Sequence, residues 1–103
     1  MMSKKLILIT ALLLVIASNS WAYNEQDLAK LKALNACVGC DLSGANFINA
    51  DLTDTDLENA DLTRAILSGA DLTTSNLRNA KLDGAKFCKT KMPWGEVNDD
   101  CED

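Results

Sequence analysis

The sequence predicts an all-β solenoid, a chain wound into a stacked coil, with a short helix at its start. Three observations carry this reading. From Cys40 to about Trp94 an apolar residue recurs every five positions, a small residue stands two places before it, and turn-forming residues follow it. The tract reads CDLSG ANFIN ADLTD TDLEN ADLTR AILSG ADLTT SNLRN AKLDG AKFCK TKMPW. An internal repeat of this kind outranks local propensity in deciding architecture.

The period itself excludes the regular elements. On an α-helix a five-residue step rotates a side chain by about 140°, so the central residues would share no face. On a straight strand the step is odd, and each central residue would flip to the opposite side of the sheet. A chain that turns a corner once per unit solves the problem. The small and central residues are two apart, so both point inward on one short extended segment. The residue between them points out, and the next two make the corner.

The residues at each position fit that geometry. Central positions hold Leu42, Phe47, Leu52, Leu57, Leu62, Leu67, Leu72, Leu77, Leu82, Phe87 and Met92. Small positions are mostly Ala, with Thr55, Ser75 and Thr90 as departures. Small beside large fills a narrow interior without overpacking. The outward position is mostly Asp, Asn or Lys, with Ile66 an exception, and the corners carry Ser43-Gly44, Ser68-Gly69 and Asp83-Gly84. Gly and Asn tolerate turn dihedrals, and Asp, Asn and Ser bond nearby backbone.

The A-(D/N)-L-x-x pattern resembles the pentapeptide-repeat family over eleven consecutive units, about half the chain. The resemblance implies a right-handed quadrilateral β-helix with four units per turn, here a little under three turns. It implies that residues twenty apart stack: Leu42, Leu62 and Leu82 on one side, Phe47, Leu67 and Phe87 on the next. The segment from Phe87 to Gly95 and the tail to Cys101 look like the terminal segments of exported family members. Some intracellular members mimic nucleic acid, and this gives an alternative function considered below.

Four regions follow: residues 1–22, 23–39, 40–94 and 95–103. The first reads as a cleavable signal peptide. Lys4 and Lys5 precede an apolar run from Leu6 to Ala17, too short for a membrane span, and Ser20-Trp21-Ala22 offers small residues before a cut. An uncleaved membrane anchor is the competing reading. No Cys follows the run directly, so a lipid anchor is not expected. Export to the periplasm or outside the cell is the expectation. Residues 23–39 form a capping helix and lead-in. Leu28, Leu31 and Leu34 recur at helical spacing over 24–36, with Asn24 as cap and Glu25 and Asp27 at the positive end. Its apolar face is expected to cover the lower opening of the coil. Trp94 and Val97 are expected to fold over the upper one, since Pro93 cannot continue a ladder.

Charge and cysteines narrow the partners. Formal net charge is −5, and removal of Lys4 and Lys5 takes it to −7. Phosphate binding demands Lys and Arg, so nucleic acid is not expected as a ligand. Cys37, Cys40, Cys88 and Cys101 make an even set in a small exported domain, which reads as two disulfides. Three connectivities are open. Cys37–Cys40 with Cys88–Cys101 is expected, because each pair brackets one end of the tract.

Catalysis finds little support. The chain has no His, so the usual nucleophile–base pair is missing. The acids repeat because the unit places them, not because two stand in contrasting environments. A zinc site does not match the cysteine spacing. A redox role for Cys37-x-x-Cys40 lacks the α/β setting of catalytic dithiols. No enzyme activity, cofactor or metal is expected. The expectation is an exported structural or protein-interaction module, with a partner in the cell envelope or outside and homodimerisation through a coil end open. Nucleic-acid mimicry and a thiol–disulfide redox role are the alternatives. The outward charges change sign along the coil, from Asp41, Asp51, Asp56, Asp61 and Asp71 to Lys81, Lys86 and Lys91. Asp61 is expected to stack on Lys81, Asp71 on Lys91 and Glu58 on Arg78. With Ile48 and Ile66, the three lysines form the candidate partner surface.

Overall fold

A helix opens the described part of the chain, which in this computed structural model is residues 23–101; the expected signal peptide at 1–22 lies outside it. Helix α1 spans Glu25–Leu34. Asn24 caps it, its side-chain oxygen accepting from the backbone N–H of Gln26 and Asp27 at 2.8 and 3.0 Å. Asn35 ends it in the left-handed region, at φ 56°, and donates its N–H to Leu31. The helix is shorter than the spacing of its leucines suggests. Leu31 is buried and Leu28 packs against the core, but Leu34 is 64% exposed. The chain leaves the helix at Asn35, so Leu34 has no layer to cover.

From Asn35 the chain winds into a coil held by parallel ladders. Bridge partners are always twenty residues apart, and four ladders line four sides. The first side stacks Ala36, Asp56 and Asn76, the second Asp41, Asp61 and Lys81, the third Asn46, Ile66 and Lys86, the fourth Asp51, Asp71 and Lys91. From Leu42 to Leu72 the central residues donate their N–H upward, as Leu62 does to the Lys81 carbonyl at 2.8 Å, and from Asp56 to Lys91 the outward residues donate downward, as Lys81 does to Ala60 at 2.9 Å. The ladder starts at Ala36, one unit before Cys40. Cys37 therefore occupies a central position beneath Leu57, and Cys40 a small position beneath Ala60.

Corners repeat a single device. The small residue of the following unit closes each turn, with the N–H of Ala45, Ala60, Ala65, Ala70, Ala80 and Ala85 reaching the central carbonyl three residues back at 3.0–3.1 Å. The third turn residue has positive φ at Gly39, Gly44, Asn49, Asp54, Asn59, Arg64, Gly69, Asn79, Gly84 and Lys89. That is the requirement of a type II turn, which Gly and Asn meet at least cost. Thr74 is the exception. Its hydroxyl accepts the Asp54 N–H at 2.8 Å in place of the usual backbone carbonyl.

The interior is the predicted column. Leu42, Leu57, Leu62, Leu67 and Leu72 are fully buried, and Phe47, Leu52 and Met92 nearly so. Thr90 is buried as well, and its hydroxyl donates to the Leu67 carbonyl at 2.8 Å. At the top, strands β1 (Thr90–Met92) and β2 (Gly95–Val97) form an antiparallel hairpin. Val97 packs against the core, but Trp94 does not fold over it. Trp94 stands 65% exposed, because the tight turn between β1 and β2 carries its side chain outward.

Candidate functional site

Outward acids are corner braces before they are anything else. The carboxylate of Asp41 accepts from the Ser43 N–H and hydroxyl at 3.1 and 2.7 Å, and Asp51 does the same with Thr53 at 3.1 and 2.6 Å. Asp61 with Thr63 and Asp71 with Thr73 repeat the arrangement. Asn46, Asp56 and Asn76 each accept the N–H two residues on. These bonds stabilise the charged carboxylate. The Thr53, Thr63 and Thr73 hydroxyls hold Asp51, Asp61 and Asp71 below the ordinary Asp range. Lys81 lowers Asp61 and Lys91 lowers Asp71 by smaller amounts, whereas Asp71 opposes the shift of Asp51.

The expected stacking of Asp61 on Lys81 and of Asp71 on Lys91 is present as ladder pairing. The carboxylates nevertheless spend their close contacts on threonine hydroxyls within their own units. Like charges also stack, Asp41 under Asp61 and Asp51 under Asp71. Sequence spacing predicts stacked opposite charges; the shorter reach to residue i+2 makes the corner the stronger claimant on each acid.

The residues of the candidate partner surface divide among sides. Ile66 and Lys86 are ladder partners on the third side, and Ile48 lies at the corner of the same column. Lys81 and Lys91 belong to the flanking sides. Ile48 is half exposed and Ile66 half buried. The three lysines therefore ring the upper turn, and no single flat face holds them. Charge is zoned by height: residues 35–74 carry seven acids and one cation, while 75–94 carry Arg78, Lys81, Lys86, Lys89 and Lys91 against Asp83.

Both disulfides sit at the ends. Cys37–Cys40 joins adjacent units of the lowest turn, Cα atoms 5.3 Å apart, and Cys88–Cys101 ties the tail to the third side at 4.7 Å. Cys37 is 0% exposed, and thiol exchange requires an accessible sulfur. Among the described residues, no group of three or more His, Cys, Asp or Glu is placed to hold a metal ion. No described helix is long and apolar enough to cross a membrane.

The two openings are closed differently. Below, the Asp41 N–H donates to the Asp27 carboxylate at 2.8 Å and its carbonyl accepts from Asn24 at 3.0 Å, so α1 seals the second side. Above, the tail seals the third side: Phe87 N–H donates to the Asp100 carboxylate at 3.0 Å, Asp100 N–H to the Phe87 carbonyl at 2.8 Å, and Lys89 N–H to the Asn98 side chain at 2.7 Å. The fourth side is closed by the hairpin. On the first and second sides, among the described residues, the upward N–H groups of Leu77, Asn79, Leu82 and Gly84 and the carbonyls of Ser75 and Ala80 have no protein partner. Leu77 and Leu82 are only partly buried there. The repeat pattern treats Leu77 and Leu57 alike and does not reveal this gap.

A family model described as pentapeptide repeats matches in eight copies, over residues 40–79 and 57–92. No curated protein matches. Among solved structures, the chain is similar to a pentapeptide repeat protein, Rfr23, from the cyanobacterium Cyanothece 51142. Identity is 37% and the TM-score 0.49, over 50% of this chain and 35% of that one. The matched part thus spans about a third of that chain's length.

Proposed function

Because the chain belongs to the pentapeptide-repeat family, whose units wind into a right-handed β-helix, we propose that it is a non-enzymatic, exported module presenting the rigid sides and ends of its coil to a protein partner. The observation that supports this best is how the outward residues are held. Each stands on a continuous ladder at a twenty-residue register, and the acids are braced into corners, so spacing between surface groups is set by backbone. Preorganised groups lose little entropy on binding. The basic upper turn argues against mimicry of a polyanion, which calls for uniform negative charge. Export rests on residues 1–22, with a mature chain beginning at Tyr23 and a partner in the envelope or outside the cell.

Two measurements test the proposal. Fractionation with N-terminal sequencing is expected to find Tyr23 at the start of an exported, oxidised protein. An unprocessed cytosolic chain would overturn export and restore mimicry. Affinity capture with that protein is expected to recover a specific binder lost by the Lys81→Glu/Lys86→Glu/Lys91→Glu variant. Recovery of nothing, or of the same proteins by both, would leave a passive structural part.

A further inference from the structure

The half of the upper edge that the described residues leave uncovered has a specific chemistry. We propose that the edge from Ser75 to Gly84 docks an extended acidic segment of another protein as an added parallel strand. This rests on the reading of the chain as an interaction module and names the place and the partner's character.

The edge supplies four donors and two acceptors in the register that the ladders use lower down. Strand addition meets such groups with main-chain hydrogen bonds, while pockets for alternate side chains give selectivity. Leu77 and Leu82 are the apolar floor. By the ladder register Met92 lies over Leu72, whose corner leads into Ser75, and the exposed Trp94 follows Met92 in the hairpin turn at that same corner. An exposed aromatic at the corner of a partly buried apolar floor is a natural anchor.

The acidic character follows from the rim. Arg78 and Lys81 lie on the edge itself, with Lys86, Lys89 and Lys91 around the same turn. The molecule already uses acid to close the adjoining third side, where the Asp100 carboxylate takes the Phe87 N–H. An incoming acid above Lys81 would continue the second side, where Asp61 already lies below that lysine. An acid above Asp83 would be repelled, which fixes the register of the incoming chain. A second coil is the poorer occupant. The tail fills the next layer over the third and fourth sides, and strand layers are only about 4.8 Å apart, so a coil set on top would rest on the tail.

The test uses the oxidised chain from Tyr23 and a synthetic ten-residue peptide of two small–acidic–leucine units, with a lysine-for-acid peptide as control. Trp94 is the only Trp after residue 22, so its emission reports binding directly. The expected result is an emission shift, with exchange of the Leu77, Asn79, Leu82 and Gly84 amides slowed at least tenfold. Lys81→Glu should weaken binding about fivefold and Asp83→Lys should strengthen it, both at exposed positions that leave the core untouched. Equal binding of the lysine peptide, protection elsewhere, or no binding would overturn the proposal. So would protection of these amides without peptide that grows with protein concentration, since a second copy would then be the occupant. If affinity capture still recovers a partner, only this docking site fails; if capture also fails, the module reading fails with it.

Discussion

Leu57 and Leu77 occupy the same position of the repeat on the same side of the coil, yet they should differ sharply when cut to alanine. Leu57 is 0% exposed, with Cys37 below it and Leu77 above. Leu57→Ala removes its transfer free energy and leaves a cavity that braced ladders cannot collapse, a loss of about 3–4 kcal/mol. Leu77 has Leu57 and Cys37 beneath it but is only partly buried, with its upward N–H unpaired among the described residues, so Leu77→Ala should cost about 1–2 kcal/mol. Leu34→Ala, at an exposed helix end, should change stability by less than about 0.5 kcal/mol. A domain of this size holds roughly 4–12 kcal/mol in total, so the first variant removes a large share. Urea unfolding of the oxidised chain, followed by circular dichroism, measures all three at constant m. Melting temperature should fall by about 4–8 °C for each kcal/mol lost. Equal losses at Leu57 and Leu77 would refute the open upper edge, and a large loss at Leu34 would refute the placement of α1.

Gly69 has φ +73°, and a Cβ there would meet the Asn49 Oδ1 at 2.1 Å, so Gly69→Ala should cost about 1–2 kcal/mol, whereas Arg64→Gly, relieving a non-glycine residue at φ 60°, should gain up to about 1 kcal/mol; thermal melts decide both. Asp51, Asp61 and Asp71 have depressed values in the folded state, so their contribution is present above the unfolded Asp value near 3.8 and is lost as pH falls through the lower folded values. Melting temperature should therefore drop below about pH 4, and the Thr53→Val/Thr63→Val/Thr73→Val variant should show a flatter acid limb than the parent. Opening Cys88–Cys101 by double serine substitution frees a loop of thirteen-residue separation and should cost about 3 kcal/mol, with amide exchange at Phe87 and Lys89 rising first.

The architecture was legible because one constraint dominates it. A five-residue apolar period has no solution on a helix or a flat strand, so the coil, its leucine column and its glycine or asparagine corners all follow from residue types. The bracketing of the tract by cysteines likewise indicated the pairs that form. The period carries no information about where the stack stops. Cys37 is hidden as a core residue because a cysteine breaks the leucine pattern, and hydrophobicity alone draws Leu34 and Trp94 inward because it does not say whether a layer remains to be covered. Only the folded chain decides which donors at each end find α1 or the tail and which find nothing. Such end contacts join residues far apart in sequence and depend on the exit direction of a single turn, which no repeating pattern encodes.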